Sequence, residues 1–171
     1  MRVLVATASR HGSTRNIGSW IATALTSCAG NAQNIAEVDL RDVEDVDSIA
    51  EYDAVVLGSA VYMGRWLASA RSLVAREQAE LDAVPVWLFS SGPIGGTPPS
   101  TRRSSWDEVP WAVEHRTFGG KLDRSTLSRF ERLVVRLIRA EDGDDRSRAD
   151  IESWARSIGD SLETPTSDRS R

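Results

Sequence analysis

The chain has 171 residues, 40% of them apolar, a net charge of −4 and one cysteine. That size suits one domain with its own core over residues 1–163, followed by a tail of disordered composition, TPTSDRSR, over 164–171. The mild acidity argues against a general nucleic-acid binder, no apolar run approaches the roughly 18–20 residues of a membrane span, and a lone cysteine excludes an internal disulfide or a cysteine-cluster metal site.

Met1 and Arg2 lead straight into a short apolar run, Arg2–Ala6, which reads as a buried strand. No apolar core region or small-residue cleavage site of a signal peptide is seen, so a cytoplasmic protein is expected. Ser13 or Thr14 then caps a helix carrying Ile17, Trp20, Ile21, Ala24 and Leu25 at helical spacing, closed by Gly30 and Asn31. A second, more amphipathic strand covers Ile35–Leu40. The acidic link Asp42–Asp53 has room for one helical turn. Ala54–Gly58 is a third strand, apolar on both faces. Leu67, Ala70, Leu73, Val74 and Glu77 predict a helix over Leu67–Leu81. Pro85–Ser90 is a fourth strand, and Glu114–Gly120 a short fifth. Residues 92–112 between them are rich in Gly, Pro, Ser and Arg and read as irregular. Leu127, Phe130, Leu133, Val134, Leu137 and Ile138 predict a helix over Leu127–Arg139. A charged loop, EDGDDRSR, precedes a last helix over Asp150–Leu162.

Apolar strands without alternation, separated by helices, imply a parallel sheet covered on both faces. Five of them give a three-layer, doubly wound α/β fold with strand order 2-1-3-4-5. A ligand in such a sheet lies beyond the carboxyl ends of the strands, where the order reverses. The loops that matter are therefore Ala8–Thr14, Ser59–Trp66 and Ser90–Gly96.

The first loop, Ser9-Arg10-His11-Gly12-Ser13-Thr14, concentrates hydroxyls at a helix start. A helix N-terminus presents unpaired N–H groups and a partial positive charge. Small residues let an anion approach, hydroxyls donate to it, and Gly12 can take a positive φ. The loop is neither GxxxxGK[ST] nor GxGxxG, which leaves a monophosphate cradle or a serine-rich helix cap without a ligand. The second loop places Tyr62, Met63 and Trp66 among the small residues Ser59, Ala60 and Gly64. Such a surface can hold a flat heteroaromatic ring or cap the next helix. The third, SSGPIGG, offers backbone groups to a ring edge or is an ordinary turn.

These residues resemble the flavodoxin-domain proteins, and most of all the menaquinone-dependent, flavodoxin-type protoporphyrinogen oxidases and their bacterial relatives. The resemblance covers about residues 2–162. It rests on TASRHGSTRNIG, LGSAVYMGRWLASAR, FSSGPIG and the segment from Glu114 to Ala155. It implies a flavodoxin-like fold and a bound FMN. Ser9, Arg10, His11, Gly12, Ser13 and Thr14 would hold the flavin phosphate. Ser59, Ala60, Val61, Tyr62, Met63 and Gly64 would pack along the isoalloxazine. Ser91, Gly92 and Pro93 would face its pyrimidine side. The carbonyl of Gly64 or Met63 would receive the N5 hydrogen of the reduced ring. The phosphate loop departs from the usual Thr-Gly-Asn-Thr and suits the oxidase-like subgroup. The oxidases' long basic and aromatic insertion is here the shorter IGGTPPSTRRSSWDEVPW, with Arg102 and Arg103 as its basic pair. The Arg- and Ala-rich composition suggests an actinobacterial source, which makes the deazaflavin F420 an alternative cofactor.

Three functions remain: a flavin-dependent oxidoreductase passing electrons from a reduced organic substrate to a quinone-like acceptor, a flavodoxin carrying electrons between protein partners, and a redox-silent phosphate-binding module. Arg65, Arg102 and Arg103 near the expected rim disfavour the acidic docking surface of a carrier. Trp106 and Trp111 either form a lid over the flavin or anchor their loop. His11 either contacts phosphate or is an exposed loop residue, and His115 reads as structural. Trp87 and Trp154 lie at core phases, and Cys28 lacks the basic neighbour of a reactive thiol. The run Glu141–Asp145 lacks the spacing of a calcium loop and reads as solvated, so no metal is expected.

Overall fold

The computed structural model describes residues 1–29, 35–62, 64–92, 109, 111–119, 121–122, 143–144 and 147–163. The strands are β1 (Arg2–Ala8), β2 (Glu37–Asp42), β3 (Ala54–Tyr62), β4 (Arg65–Trp66), β5 (Val86–Ser91), β6 (Glu114–Phe118), β7 (Lys121–Leu122) and β8 (Gly143–Asp144). The helices are α1 (Ser13–Ala29), α2 (Ala68–Arg76), α3 (Gln78–Ala83) and α4 (Arg148–Glu163), with a 3-10 turn at Val43–Asp45.

Five strands pair in parallel in the order β2-β1-β3-β5-β6, the order expected from the apolar runs. β1 and β3 are buried along most of their length because alternate residues serve two different cores. Val3, Val5 and Val56 face Ile17, Ile21 and Leu25 of α1 and Ile151, Trp154 and Ile158 of α4. Leu4, Ala6 and Leu57 face Leu73 and Val74 of α2 and Leu81 of α3. Each such aliphatic side chain contributes about 1.5–3 kcal/mol on burial, so α1 and α4 are held to one face and α2 and α3 to the other. The chain leaves β1 toward one face and β3 toward the other, which opens a crevice between their carboxyl ends.

Several boundaries differ from expectation. β1 ends at Ala8 rather than Ala6, since Thr7 and Ala8 pair with Gly58 and Ser59. β3 continues through Ser59 to Tyr62, where a loop was expected. Ser59 and Ala60 pair with Ser90 and Ser91, and Val61 and Tyr62 turn back on Trp66 and Arg65 as a hairpin. The helix expected over Leu67–Leu81 is two helices, broken at Glu77 (φ −106°, ψ 22°). The buried Glu77 carboxylate accepts hydrogen bonds from the Ile49 amide at 3.1 Å and Arg76 Nε at 2.8 Å. That tie to a distant loop accompanies the break, and the apolar spacing did not reveal it. Gly143 and Asp144, expected in a charged loop, pair with Leu122 and Lys121. Gly30, Asn31, the helix over Leu127–Arg139, Arg102, Arg103, Trp106 and the tail lie outside the described residues.

Candidate cofactor site at the strand ends

β1, β3 and β5 are consecutive neighbours in the sheet, so the three loops singled out in the sequence emerge side by side. Adjacent strands lie about 4.8 Å apart, which places all three loops within reach of one small molecule. The register is direct: Ala8 lies beside Ser59, and Ala60 beside Ser91.

The loop after β1 brings Ser9, Arg10, His11 and Gly12 to the start of α1. Gly12 has φ +81°, and a β-carbon there would meet no atom within 4 Å. Glycine is required by the backbone conformation, and the space beside it is open. The Gly12 carbonyl accepts the first helical bond, from the Asn16 amide at 2.9 Å. Ser13 and Thr14 therefore occupy the first helical positions, where amides point outward without intrahelical acceptors. No acidic residue lies in this first turn. Thr14 is fully buried, and its Oγ1 has no hydrogen-bond partner. At the end of β2, Asp42 takes an ion pair from Arg15 at 3.2 Å and a hydrogen bond from the Thr7 hydroxyl at 3.4 Å. This carboxylate is thus tied to the flank of the loop. Open space at Gly12, a helix N-terminus without acidic residues and an orphaned buried hydroxyl together fit a phosphate group.

The hairpin forms the second wall. Gly64 has φ +76° in the two-residue connection between Tyr62 and Arg65. Ala60, Val61, Tyr62 and Gly64 are half-buried. Ser59 is fully buried, and its hydroxyl donates to the Ala60 carbonyl at 2.9 Å while accepting from the Leu67 amide at 3.0 Å. Ser59 therefore locks the hairpin to the start of α2, behind the surface that Ala60, Val61 and Tyr62 present. The Arg10 guanidinium sits over the Tyr62 ring, 5.2 Å from its centroid, and joins the first loop to the second. The third wall is the end of β5. Ser91 is buried, and the half-buried Gly92 donates its amide to the Phe118 carbonyl at 3.0 Å. Met63 and Pro93 lie outside the described residues.

Sequence reasoning missed the support beneath these walls. The buried Trp66 donates its indole N–H to Ser90 Oγ at 2.8 Å, and Ser90 Oγ lies 2.9 Å from His115 Nε2. The Trp66 and His115 rings meet edge to face, with centroids 6.0 Å apart. Trp66, expected either at a ring or capping a helix, is 2% exposed and belongs to the core. Three strands far apart in sequence supply this cluster, so no local spacing announces it. Trp87 and Trp154 are buried as expected, and Trp111 is half-buried against the core on the α2 face. A cavity of about 220 Å³ lined by Arg41, Val46, Ser48 and Tyr52 touches none of the three loops. Among the described residues, no group of His, Cys, Asp or Glu is arranged to hold a metal ion, and no helix is long and apolar enough to cross a membrane.

Comparison with known proteins converges on one family. The family model described as flavodoxin domain matches residues 4–149. No curated protein matches the chain. Among solved structures, an archaeal flavodoxin shares 14% identity at a TM-score of 0.58, covering 96% of this chain and 100% of its own. A cysteine-to-alanine mutant of the Pseudomonas aeruginosa flavodoxin shares 14% at 0.57, again covering 96% and 100%. Rubredoxin oxygen:oxidoreductase from Desulfovibrio gigas shares 13% at 0.57 over 94% of this chain, which spans only 36% of that longer one. At such identities the structural likeness speaks for the fold, while the family model extends over most of the sequence: the chain belongs to the flavodoxin domain family.

Proposed function

We propose that this protein binds FMN and works as an oxidoreductase, passing electrons between a reduced organic substrate and a quinone-like acceptor. Thr14 carries the cofactor reading. Its hydroxyl is buried without a partner at a helix N-terminus, and an unsatisfied buried hydroxyl costs about 1–3 kcal/mol. A phosphate oxygen in the cradle would offset that cost. In this reading Ser9, Ser13 and Thr14 and the first amides of α1 hold the phosphate, flanked by Arg10 and His11. Gly12 lets it approach the backbone. Ala60, Val61, Tyr62 and Gly64, with Met63, form the wall along the ring, and Ser59 braces that wall from behind. Ser91, Gly92 and Pro93 border the pyrimidine side. The flavin supplies the redox chemistry. The chain fixes the ring's position, shields its inner edge from water and offers a carbonyl of Gly64 or Met63 to the ring N–H.

The general role of flavodoxins as FMN-binding electron carriers supports a second reading, in which the acceptor is another protein. The basic character of the site speaks for a small-molecule partner instead: Arg10 and Arg65 stand exposed on the first loop and the hairpin. The resemblance to menaquinone-dependent protoporphyrinogen oxidases supports a quinone as that partner and a cytoplasmic setting.

The test is a fluorescence and absorbance titration of the protein with FMN and, in parallel, with F420. Saturable binding of FMN supports the cofactor reading. Binding of F420 alone redirects it to hydride chemistry, and binding of neither removes it. Mixing the reduced, FMN-loaded protein with a soluble naphthoquinone then separates enzyme from carrier. Rapid saturable reoxidation is expected, and sluggish reoxidation favours the carrier.

A further inference from the structure

We infer that two copies of this chain pair through β2, each adding its β2 antiparallel to the β2 of the other. The inference goes beyond the proposed function and does not depend on it. β2 closes one side of the sheet, and among the described residues no strand pairs with its outer edge. Such an edge offers a row of unpaired backbone donors and acceptors to another chain. The usual guards are missing from it. Its six residues, EVDLRD, include no proline or lysine, and its register with β1 runs unbroken from Glu37 to Asp42, without a bulge. Leu40 is 38% exposed, one of three large apolar side chains that are exposed among the described residues. It rests on α1 at Gly18, where an added β-carbon would lie 3.3 Å from Leu40 Cδ1.

Charge complementarity selects a second copy as the occupant and fixes its direction. The Glu37 amide donates to the Met1 carbonyl at 3.4 Å, beside the pairing of Arg2 with Glu37. A parallel ladder then turns the backbone groups of alternate residues, Asp39 and Arg41, toward β1, and those of Val38, Leu40 and Asp42 toward the free edge. A two-fold axis at Leu40 satisfies that pattern. Leu40 meets its own copy, and Val38 meets Asp42. Asp39 of each copy then faces Arg41 of the other at the closely spaced positions of an antiparallel ladder, where facing α-carbons lie about 4.5 Å apart. Symmetry makes this attractive pair twice. An axis at Asp39 would set two carboxylates face to face, and in-register parallel addition would align like charges along the whole strand. Within one chain Arg41 reaches Asp39 at 3.4 Å, while Asp39 also accepts from the Tyr52 hydroxyl at 2.8 Å and pairs with Arg2 at 3.5 Å. Arg41 can therefore turn to the facing carboxylate and leave its own Asp39 partnered. A six-residue ladder is smaller than the about 800 Å² per partner of a standard interface, so the association is weak and reversible.

The experiment is sedimentation equilibrium of the full chain over about 5–500 µM, where a weak interface gives a reversible mixture of monomer and dimer. Leu40→Lys opposes two like charges at the axis, and Arg41→Glu turns both attractive pairs repulsive. Each should weaken association about tenfold or more. Cross-linking reads the register directly. In a Cys28→Ser background, Leu40→Cys should form an intermolecular disulfide with diamide, because facing α-carbons at the axis lie about 5.5 Å apart. Glu37→Cys in the same background lies away from the axis and should not cross-link to its copy. Circular dichroism establishes that the variants are folded, and if L40K loses its seat against Gly18, R41E and the cross-link still decide. A wild type that stays monomeric throughout the range overturns the inference. So does a dimer that L40K and R41E leave unchanged, or one that E37C cross-links as well as L40C. Flavin binding is measured separately and stands or falls by itself.

Discussion

Replacing Thr14 by valine should move stability and cofactor affinity in opposite directions. The substitution keeps the shape of the side chain and deletes only the hydroxyl. Thr14 is fully buried and its Oγ1 makes no hydrogen bond. Removing a buried hydroxyl in that condition relieves about 1–3 kcal/mol of desolvation. For a chain of this size each kcal/mol is worth about 2–4 °C, so the cofactor-free protein should melt about 2–12 °C higher. A hydrogen bond to a charged acceptor contributes about 1.5–3 kcal/mol, and about 1.4 kcal/mol corresponds to a factor of ten. FMN should therefore bind about 10- to 150-fold more weakly. Thermal melts with and without FMN, together with a fluorescence titration, measure both quantities on the same samples. A lower melting temperature for the cofactor-free variant would show that the hydroxyl has a partner in the folded chain. Unchanged affinity would show that Thr14 does not touch the phosphate. Either result refutes the reasoning, because a helix cap loses stability when its hydroxyl goes, whereas a poised ligand contact gains it.

Three further substitutions probe the scaffold. Ser90→Ala removes the acceptor of the Trp66 indole and the partner of His115 Nε2, and should cost about 1–3 kcal/mol in urea unfolding; a neutral result would mean that the cluster does not brace the hairpin. A β-carbon at Gly58 would overlap the Phe89 ring, so Gly58→Ala should cost about 1–3 kcal/mol by overpacking, and unchanged stability would show that Phe89 moves freely. The hydrogen bond from Arg76, aided by the Ile49 amide, outweighs burial and holds the Glu77 carboxyl below the ordinary glutamate value. Its stabilisation is fully present above the unfolded value of about 4.3 and is lost as pH falls through the lower folded value. Glu77→Gln should lower stability at pH 7 and flatten this part of the acid limb, and a variant with the wild-type pH profile would contradict the assignment.

The three central strands β1, β3 and β5 were legible because each contains a short run of apolar or β-branched residues, whereas the outer strands β2 (EVDLRD) and β6 (EHRTF) are mixed in polarity and half-exposed. The sites of the three loops followed from that topology alone. The limits of the elements were less legible. Ser59–Tyr62 looks like a loop when read locally, since its residues are small and mixed. It is a strand because Ser90 and Ser91 lie beside it, and because Arg65 and Trp66 fold back on it. Glu77 falls on the apolar stripe of its helix and is buried as that spacing implies. There it receives the Ile49 amide from a loop 28 residues away, and at the same residue the helix that this spacing predicts is interrupted. Ser59 was grouped with the ring-facing residues by resemblance, and the structure shows its hydroxyl engaged within the hairpin.

By itself the sequence determined the class of fold, the strand order and the concentration of hydroxyls ahead of α1. These properties are written in hydrophobic periodicity and in the residues that a helix start and a tight turn demand, and both are local. Tertiary structure decided which polar groups are satisfied. It left the Thr14 hydroxyl buried without a partner, spent the Ser59 hydroxyl on the hairpin, tied Trp66 to Ser90 and His115, and laid Arg10 across Tyr62. A hydrogen bond or a cation–π contact extends only a few ångströms, and its two ends can lie anywhere in the chain. Periodicity shows which face a residue takes, but only packing shows what it meets there.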